Sequence, residues 1–167
     1  MKKLFIYISV IALSIFNMQS QNISKNALGL RLGSNDGFGG ELSYQRKLAK
    51  DNRLELDLGW RSASIVDAVK LAGVYQWVWN IDGDFNWYAG LGGGLGSYTY
   101  NKAYKSNPYL TNTTNGGVYF FGAGDIGIEY DFDIPLLISL DFRPEFNFNG
   151  YGNNFGSDIA LGLRYQF

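Results

Sequence analysis

Apolar side chains in this chain recur at every second residue, and nowhere at the i, i+3, i+4 spacing of an amphipathic helix. A period of two belongs to a strand with one apolar face, so the chain must fold largely as sheet. Eight runs carry the pattern. In 26–33, Leu28, Leu30 and Leu32 alternate with Gly29, Arg31 and Gly33; in 38–48, Phe38, Leu42 and Tyr44 oppose Glu41, Ser43 and Gln45. Segment 53–61 sets Leu54, Leu56, Leu58 and Trp60 against Arg53, Glu55, Asp57 and Arg61, and 68–79 sets Val69, Leu71, Tyr75, Trp77 and Trp79 against Lys70, Ala72 and Gln76. Segment 85–97 opposes Trp87, Ala89, Leu91 and Leu95 to Tyr88, Gly90, Gly92, Gly94 and Gly96. In 118–132, Phe120, Ile126, Ile128 and Tyr130 face away from Asp125, Glu129 and Asp131, and in 136–146, Ile138, Leu140, Phe142 and Phe146 face away from Asp141, Arg143 and Glu145. The last run, 157–167, separates Ile159, Leu161, Leu163, Tyr165 and Phe167 from Asp158, Arg164 and Gln166.

Each run has about the length that a tilted strand needs to cross a bilayer. The connections alternate as well. Segments 49–52, 80–84 and 131–135 are short and hold Asn, Asp, Gly or Pro, whereas 62–67, 98–117 and 147–156 are longer; only 34–37 breaks the trend. An even strand count with short turns at one end and longer loops at the other is the layout of an up-and-down barrel.

Before the first run, Lys2 and Lys3 precede an apolar stretch at 4–16 and then a polar stretch from Asn17. That order reads as a secretory signal peptide over 1–20, too short to span a membrane, followed by one barrel domain over 26–167. Composition closes off other function classes. The 167 residues include no Cys and no His, which excludes disulfide scaffolds, thiol and imidazole catalysis, Fe–S clusters and structural zinc. Without Lys2 and Lys3 the chain keeps 12 basic against 15 acidic residues with no run of one sign, a balance that excludes nucleic acid as a partner.

Alternation alone fits a soluble ligand-binding barrel of lipocalin type, apolar inside, or a membrane barrel, apolar outside. Two features favour the second. Aromatics of the apolar set gather at run ends: Trp77, Trp79, Phe85, Trp87, Tyr130, Phe132, Tyr165 and Phe167 beside the short turns, Phe38, Trp60, Phe120 and Phe146 beside the loops. Two aromatic girdles around an aliphatic band suit two membrane interfaces. The opposite face carries Gly, Arg, Asp and Glu with almost no Lys, as a narrow packed lumen needs.

The closing run, Ile159, Leu161, Leu163, Tyr165 and Phe167, resembles the C-terminal assembly signal of outer-membrane barrels, and 26–167 as a whole resembles the small eight-stranded porin-like outer-membrane barrels. The resemblance implies an all-β, eight-stranded antiparallel up-and-down transmembrane barrel in the outer membrane of a Gram-negative (diderm) bacterium. It also implies surrounding outer-membrane lipid, insertion by the barrel assembly machinery and both termini in the periplasm.

The inward charges are Arg31, Glu41, Arg53, Glu55, Asp57, Arg61, Lys70, Asp125, Glu129, Asp141, Arg143, Glu145, Asp158 and Arg164. Paired carboxylates are the raw material of acid/base catalysis, but buried charges need partners, so a structural network is the expectation. Counting back from the turns predicts Asp125 opposite Arg143 about Asp133, and Glu41 opposite Arg61 about Lys50. The aspartates of 82–84 and 131–133 lack the spacing of an EF-hand loop and read as turn formers. Glycines 90, 92, 94 and 96 read as room for long side chains crossing the lumen, the arginines among them, with a small ligand cavity as the alternative. In the 98–117 connection, Tyr98, Tyr100, Lys102, Tyr104, Lys105 and Tyr109 form the expected contact surface, its partner unspecified by the sequence. No cofactor is expected. The functional expectation is a non-enzymatic barrel with an envelope-structural or surface-contact role; a narrow channel and a lipid-modifying enzyme are the alternatives.

Overall fold

The computed structural model describes residues 23–33, 39–63, 66–100, 116–148 and 154–167. These form eight strands: β1 (Asn26–Gly33), β2 (Gly40–Lys47), β3 (Asn52–Ser62), β4 (Val66–Asp82), β5 (Phe85–Tyr100), β6 (Gly116–Asp131), β7 (Leu136–Asn147) and β8 (Phe155–Gln166). Each pairs antiparallel with the next, and β8 closes on β1 to complete a barrel. Closure leaves no unpaired edge, which any sheet placed in hydrocarbon requires. The signal-peptide segment 1–20 lies outside the described residues, as do Phe38, Lys102, Tyr104, Lys105 and Tyr109.

The pleat sends the apolar set outward. Leu30, Leu56, Leu91, Ile126, Leu140 and Leu161 are exposed on the outer surface, while Arg31, Glu55, Asp57, Asp125, Asp141 and Arg143 are buried inside. A soluble barrel has the reverse arrangement, so the lipocalin-type alternative is overturned. Aromatic contacts band the short-turn end: Trp79 stacks on Trp87 at 4.4 Å, and Tyr130 packs edge-on between Phe85 at 4.7 Å and Phe132 at 4.6 Å.

Three sequence expectations change. The 62–67 connection was expected to be long, but β3 runs through Ser62 and β4 resumes at Val66, with Ala63 N–H donating to the Val66 carbonyl at 3.0 Å and Ser62 Oγ to Asp67 at 2.7 Å. Tyr98 and Tyr100 belong to β5 rather than a loop, because β5 and β6 continue pairing as far as Thr99 with Gly116. Their connection is therefore 101–115, the fifth of seven. Finally, the β2–β3 register pairs Lys47 with Arg53 and Glu41 with Gly59. A hairpin centred on Lys50 cannot set Glu41 across from Arg61; that pairing would need a centre at Asp51. The β6–β7 register, centred on Ile134, does set Asp125 across from Arg143, with Arg143 Nε 3.6 Å from Asp125 Oδ1.

Candidate functional site

The lumen of an eight-stranded barrel is about as wide as two opposed side chains, so its contents follow from the inward residues of all eight strands. They arrange in three tiers.

At the short-turn end, Arg53 on β3 meets Glu129 on β6 at 2.7 Å, donates through Nε to Gln76 at 2.6 Å, and lays its guanidinium 4.8 Å from the Tyr88 ring centroid. A pocket of about 220 Å³ opens above this pair, lined in part by Gln45, Asn80, Asn86, Asp131 and Gln166.

The middle tier centres on Glu55. It accepts from Arg143 at 2.7 Å, Arg164 at 3.1 Å, Gln45 at 2.5 Å and Gln76 at 3.3 Å. Arg143 also donates to Asp57 at 2.7 Å, and Arg164 to Ser43 at 3.0 Å and Ser139 at 2.8 Å. Gln76 reaches onward to Asp125 at 2.5 Å. Strands β2, β3, β4, β6, β7 and β8 are thus joined across the barrel by side chains, in addition to their backbone ladders.

The loop-end tier centres on Arg31, which contacts Asp141 at 2.5 Å, Asp158 at 2.9 Å and Glu41 at 3.0 Å. Lys70 contacts Glu41 at 3.1 Å and Glu145 at 3.2 Å. Beside these ions an apolar cluster of Ala72, Tyr119, Phe121 and Ala123, covered by Tyr98, fills the β4–β6 side of the mouth. Tyr100 packs edge-on against Tyr98 at 5.6 Å.

Five cations and eight carboxylates of the expected set are buried here. Arg61 is the exception: it stands half-buried opposite Ala68 near the outer rim and forms no ion pair with a described residue. The glycines of β5 also differ from expectation. A side-chain carbon at Gly94 would collide with the ring of Phe121, and one at Gly96 with the ring of Tyr119. Aromatic rings take the space that Gly94 and Gly96 vacate, while Gly90 borders Val74 and Gln76 and Gly92 lies against the β4 backbone. The neutral members Ser43, Gln45, Gln76, Tyr88 and Ser139 were not singled out from the sequence, although each occupies an inward position of the same alternation. With carboxylates in excess of cations, neutral donors must satisfy acceptors that the guanidiniums cannot reach.

Chemically, the arrangement is an ion network with more carboxylates than cations, packed across the middle of the lumen and completed by neutral donors. No group of three or more acidic side chains among the described residues is placed to hold a metal ion. The assembly-signal residues Ile159, Leu161, Leu163 and Tyr165 face outward on β8 and Phe167 is exposed just beyond it, and Leu161, Leu163 and Tyr165 pair with Leu32, Leu30 and Leu28 at the closing seam.

No family model and no curated protein matches this sequence. Solved structures do. The outer membrane protein OprG from Pseudomonas aeruginosa superposes with a TM-score of 0.58 at 13% identity, over 90% of this chain and 99% of that one. Neisserial surface protein A superposes with a TM-score of 0.57 at 14% identity, over 85% and 93%. The fold is that of the small outer-membrane β-barrels. Ail, the attachment invasion locus protein of Yersinia pestis, shares this fold with a TM-score of 0.53 at 16% identity, over 86% and 97%. At such identities the outer-membrane barrel fold carries over, and residue roles do not.

Proposed function

We propose that the protein is an integral, non-enzymatic component of the outer membrane of a diderm bacterium, with an envelope-structural or surface-contact role exercised through its outward loops. One observation carries the reading: the apolar set faces out and the ion network fills the interior, an arrangement that only a lipid surround makes favourable. The short turns 48–51, 83–84 and 132–135 then lie in the periplasm and the odd-numbered connections outside.

Against the channel alternative stands the middle tier, where Arg143, Arg164 and Glu55 meet across the lumen with no exposed surface. The enzyme alternative lacks a general base of imidazole type, and the carboxylates that might replace it are tied to guanidiniums. Because its fold is shared by Ail, whose name records attachment, surface contact is the favoured form of the role.

Two measurements test this. Reconstituted in planar bilayers, the barrel is expected to show no stable conductance of porin size; a steady porin-sized current overturns the sealed-lumen reading. A deletion strain is expected to lose surface adhesion while the lipid A mass profile stays unchanged. A lipid A mass shift on expression promotes the enzyme.

A further inference from the structure

Basic residues outside the lumen gather on one side of the barrel's short-turn end. Of the five described basic residues outside the lumen, four gather where β1 and β2 meet this rim: Lys25, Arg46, Lys47 and Lys50, with only Arg61 elsewhere. Lys47 N–H donates to the Lys25 carbonyl at 3.0 Å, and Lys50 sits in the β2–β3 turn. Asp51 is the one acidic neighbour in that turn. Asp82 and Asp84 flank the β4–β5 turn across the same rim, and Asp131 and Asp133 flank the β6–β7 turn, where Asp133 lines one cavity with Lys25.

The basic side also borders lipid-facing surface. Leu42, Tyr44 and Arg46 follow one another on the outer face of β2, so Arg46 stands one pleat repeat beyond the ring of Tyr44. Leu28, Leu48, Tyr165 and Phe167 expose apolar surface around it. Tyr44 Oη and Arg46 Nη1 both donate to Asn26 Oδ1, at 2.9 and 2.7 Å, which fixes the guanidinium at the edge of the apolar band. Its remaining N–H groups engage no described residue, and neither Lys25, Lys47 nor Lys50 pairs with a described carboxylate.

We infer that this face binds the headgroup phosphate of anionic phospholipids in the adjoining leaflet, with Arg46 as the fixed contact and Lys25, Lys47 and Lys50 supplying the attracting field. A cluster of basic residues beside an apolar band recognises an anionic lipid layer, and a guanidinium suits a phosphate through paired N–H donors. The apolar surround commits the ligand to lipid, since acyl chains would cover Leu28, Tyr44 and Tyr165 where a free phosphate would leave them bare. The inference rests on the barrel being an integral membrane protein.

For the test, the full chain is purified in a neutral detergent and titrated with phosphatidylglycerol or phosphatidylcholine, and bound lipid is counted by native mass spectrometry. Phosphatidylglycerol is expected to be retained about tenfold more tightly, consistent with the attraction of each basic residue to an anionic surface. The variant combining Lys25→Gln, Arg46→Gln, Lys47→Gln and Lys50→Gln should lose that preference. So should a charge-balanced version that adds Asp82→Asn, Asp84→Asn, Asp131→Asn and Asp133→Asn, which separates a local site from net charge. Equal retention of both lipids by the native chain overturns the inference, as does a preference that survives in the charge-balanced variant or is abolished by inorganic phosphate at matched concentration. Insertion into phosphatidylcholine vesicles is measured in parallel. A chain that inserts without lipid preference fails this inference alone, whereas one that does not insert fails the membrane reading with it.

Discussion

Arg143 Nη2 donates to Glu55 Oε1 at 2.7 Å although the two residues are 88 positions apart and their strands, β7 and β3, share no backbone ladder. The contact exists only once the barrel has closed, and it ties opposite walls together. Both residues are fully buried. Removing Arg143 leaves Asp57 without its cation while Glu55 keeps Arg164, so Arg143→Met should destabilise the folded barrel by about 3–5 kcal/mol. Adding Asp57→Asn should return part of that loss, because the stranded charge is then gone. Urea unfolding in lipid vesicles across the full double-mutant cycle reads the coupling; additive losses would mean that Arg143 and Asp57 do not depend on each other.

The orientation of the pleat predicts a depth-dependent penalty on the outer face. Leu56 lies midway along β3 and faces outward, whereas Leu48 sits in the β2–β3 turn at the rim. Leu56→Arg should cost roughly 2–4 kcal/mol of folding free energy and Leu48→Arg about 0–1 kcal/mol. Folding titrations in vesicles measure both. Equal costs at the two sites would place the hydrocarbon elsewhere on the barrel. Glu55, adjacent to Leu56, is no neutral control, since four side chains donate to it.

Tyr119 closes on Gly96 and Phe121 on Gly94, so the loop-end mouth should reject any side chain at these glycines. Gly96→Val is expected to destabilise by about 1–3 kcal/mol, as overpacking of a filled interior does. Combining it with Tyr119→Ala makes room and should cost less than the sum of the two single changes. Heat-modifiable gel mobility together with urea midpoints checks this; a Gly96→Val chain of native stability would mean that the ring does not rest there.

The architecture was legible in the sequence because a period of two leaves few choices once it repeats eight times. Leu28 to Phe167 could be assigned to faces from alternation alone, and the side that faces lipid followed from where Trp, Tyr and Phe gather. Pairings were harder, since each depends on the register of a turn. Asp125 opposite Arg143 emerged even though the hairpin centres on Ile134 and not Asp133; Glu41 opposite Arg61 did not, and Glu41 instead meets Arg31 and Lys70. Contacts between strands that share no ladder, such as Arg143 with Glu55 and Asp57, have no local signal at all. They depend on barrel closure and on the length of each side chain. The aromatic rings beside two of the β5 glycines were missed for a related reason: Tyr119 and Phe121 lie on the neighbouring strand, and only the β5–β6 register brings them over Gly96 and Gly94.

The connection between β5 and β6 should be dispensable for folding and exposed on the cell surface. β5 reaches Tyr100 and β6 begins at Gly116, and the ladder among the described residues already runs to Thr99 with Gly116. Among the described residues, the ion pairs of the three tiers join residues of the eight strands. On the proposed topology, with the N-terminus in the periplasm, this fifth connection emerges on the outside, where a surface-contact role would be exercised. Replacing residues 102–114 with a short Gly/Ser link should leave the unfolding free energy from urea titration within about 0.5 kcal/mol of the native chain, the usual range for surface changes. Protease added to intact cells should cut the native segment and spare the shortened chain. If the shortened chain fails to insert, the barrel needs the segment that it has been argued to do without; if the native segment resists protease in whole cells but is cut after lysis, the loops face the periplasm and the topology is inverted.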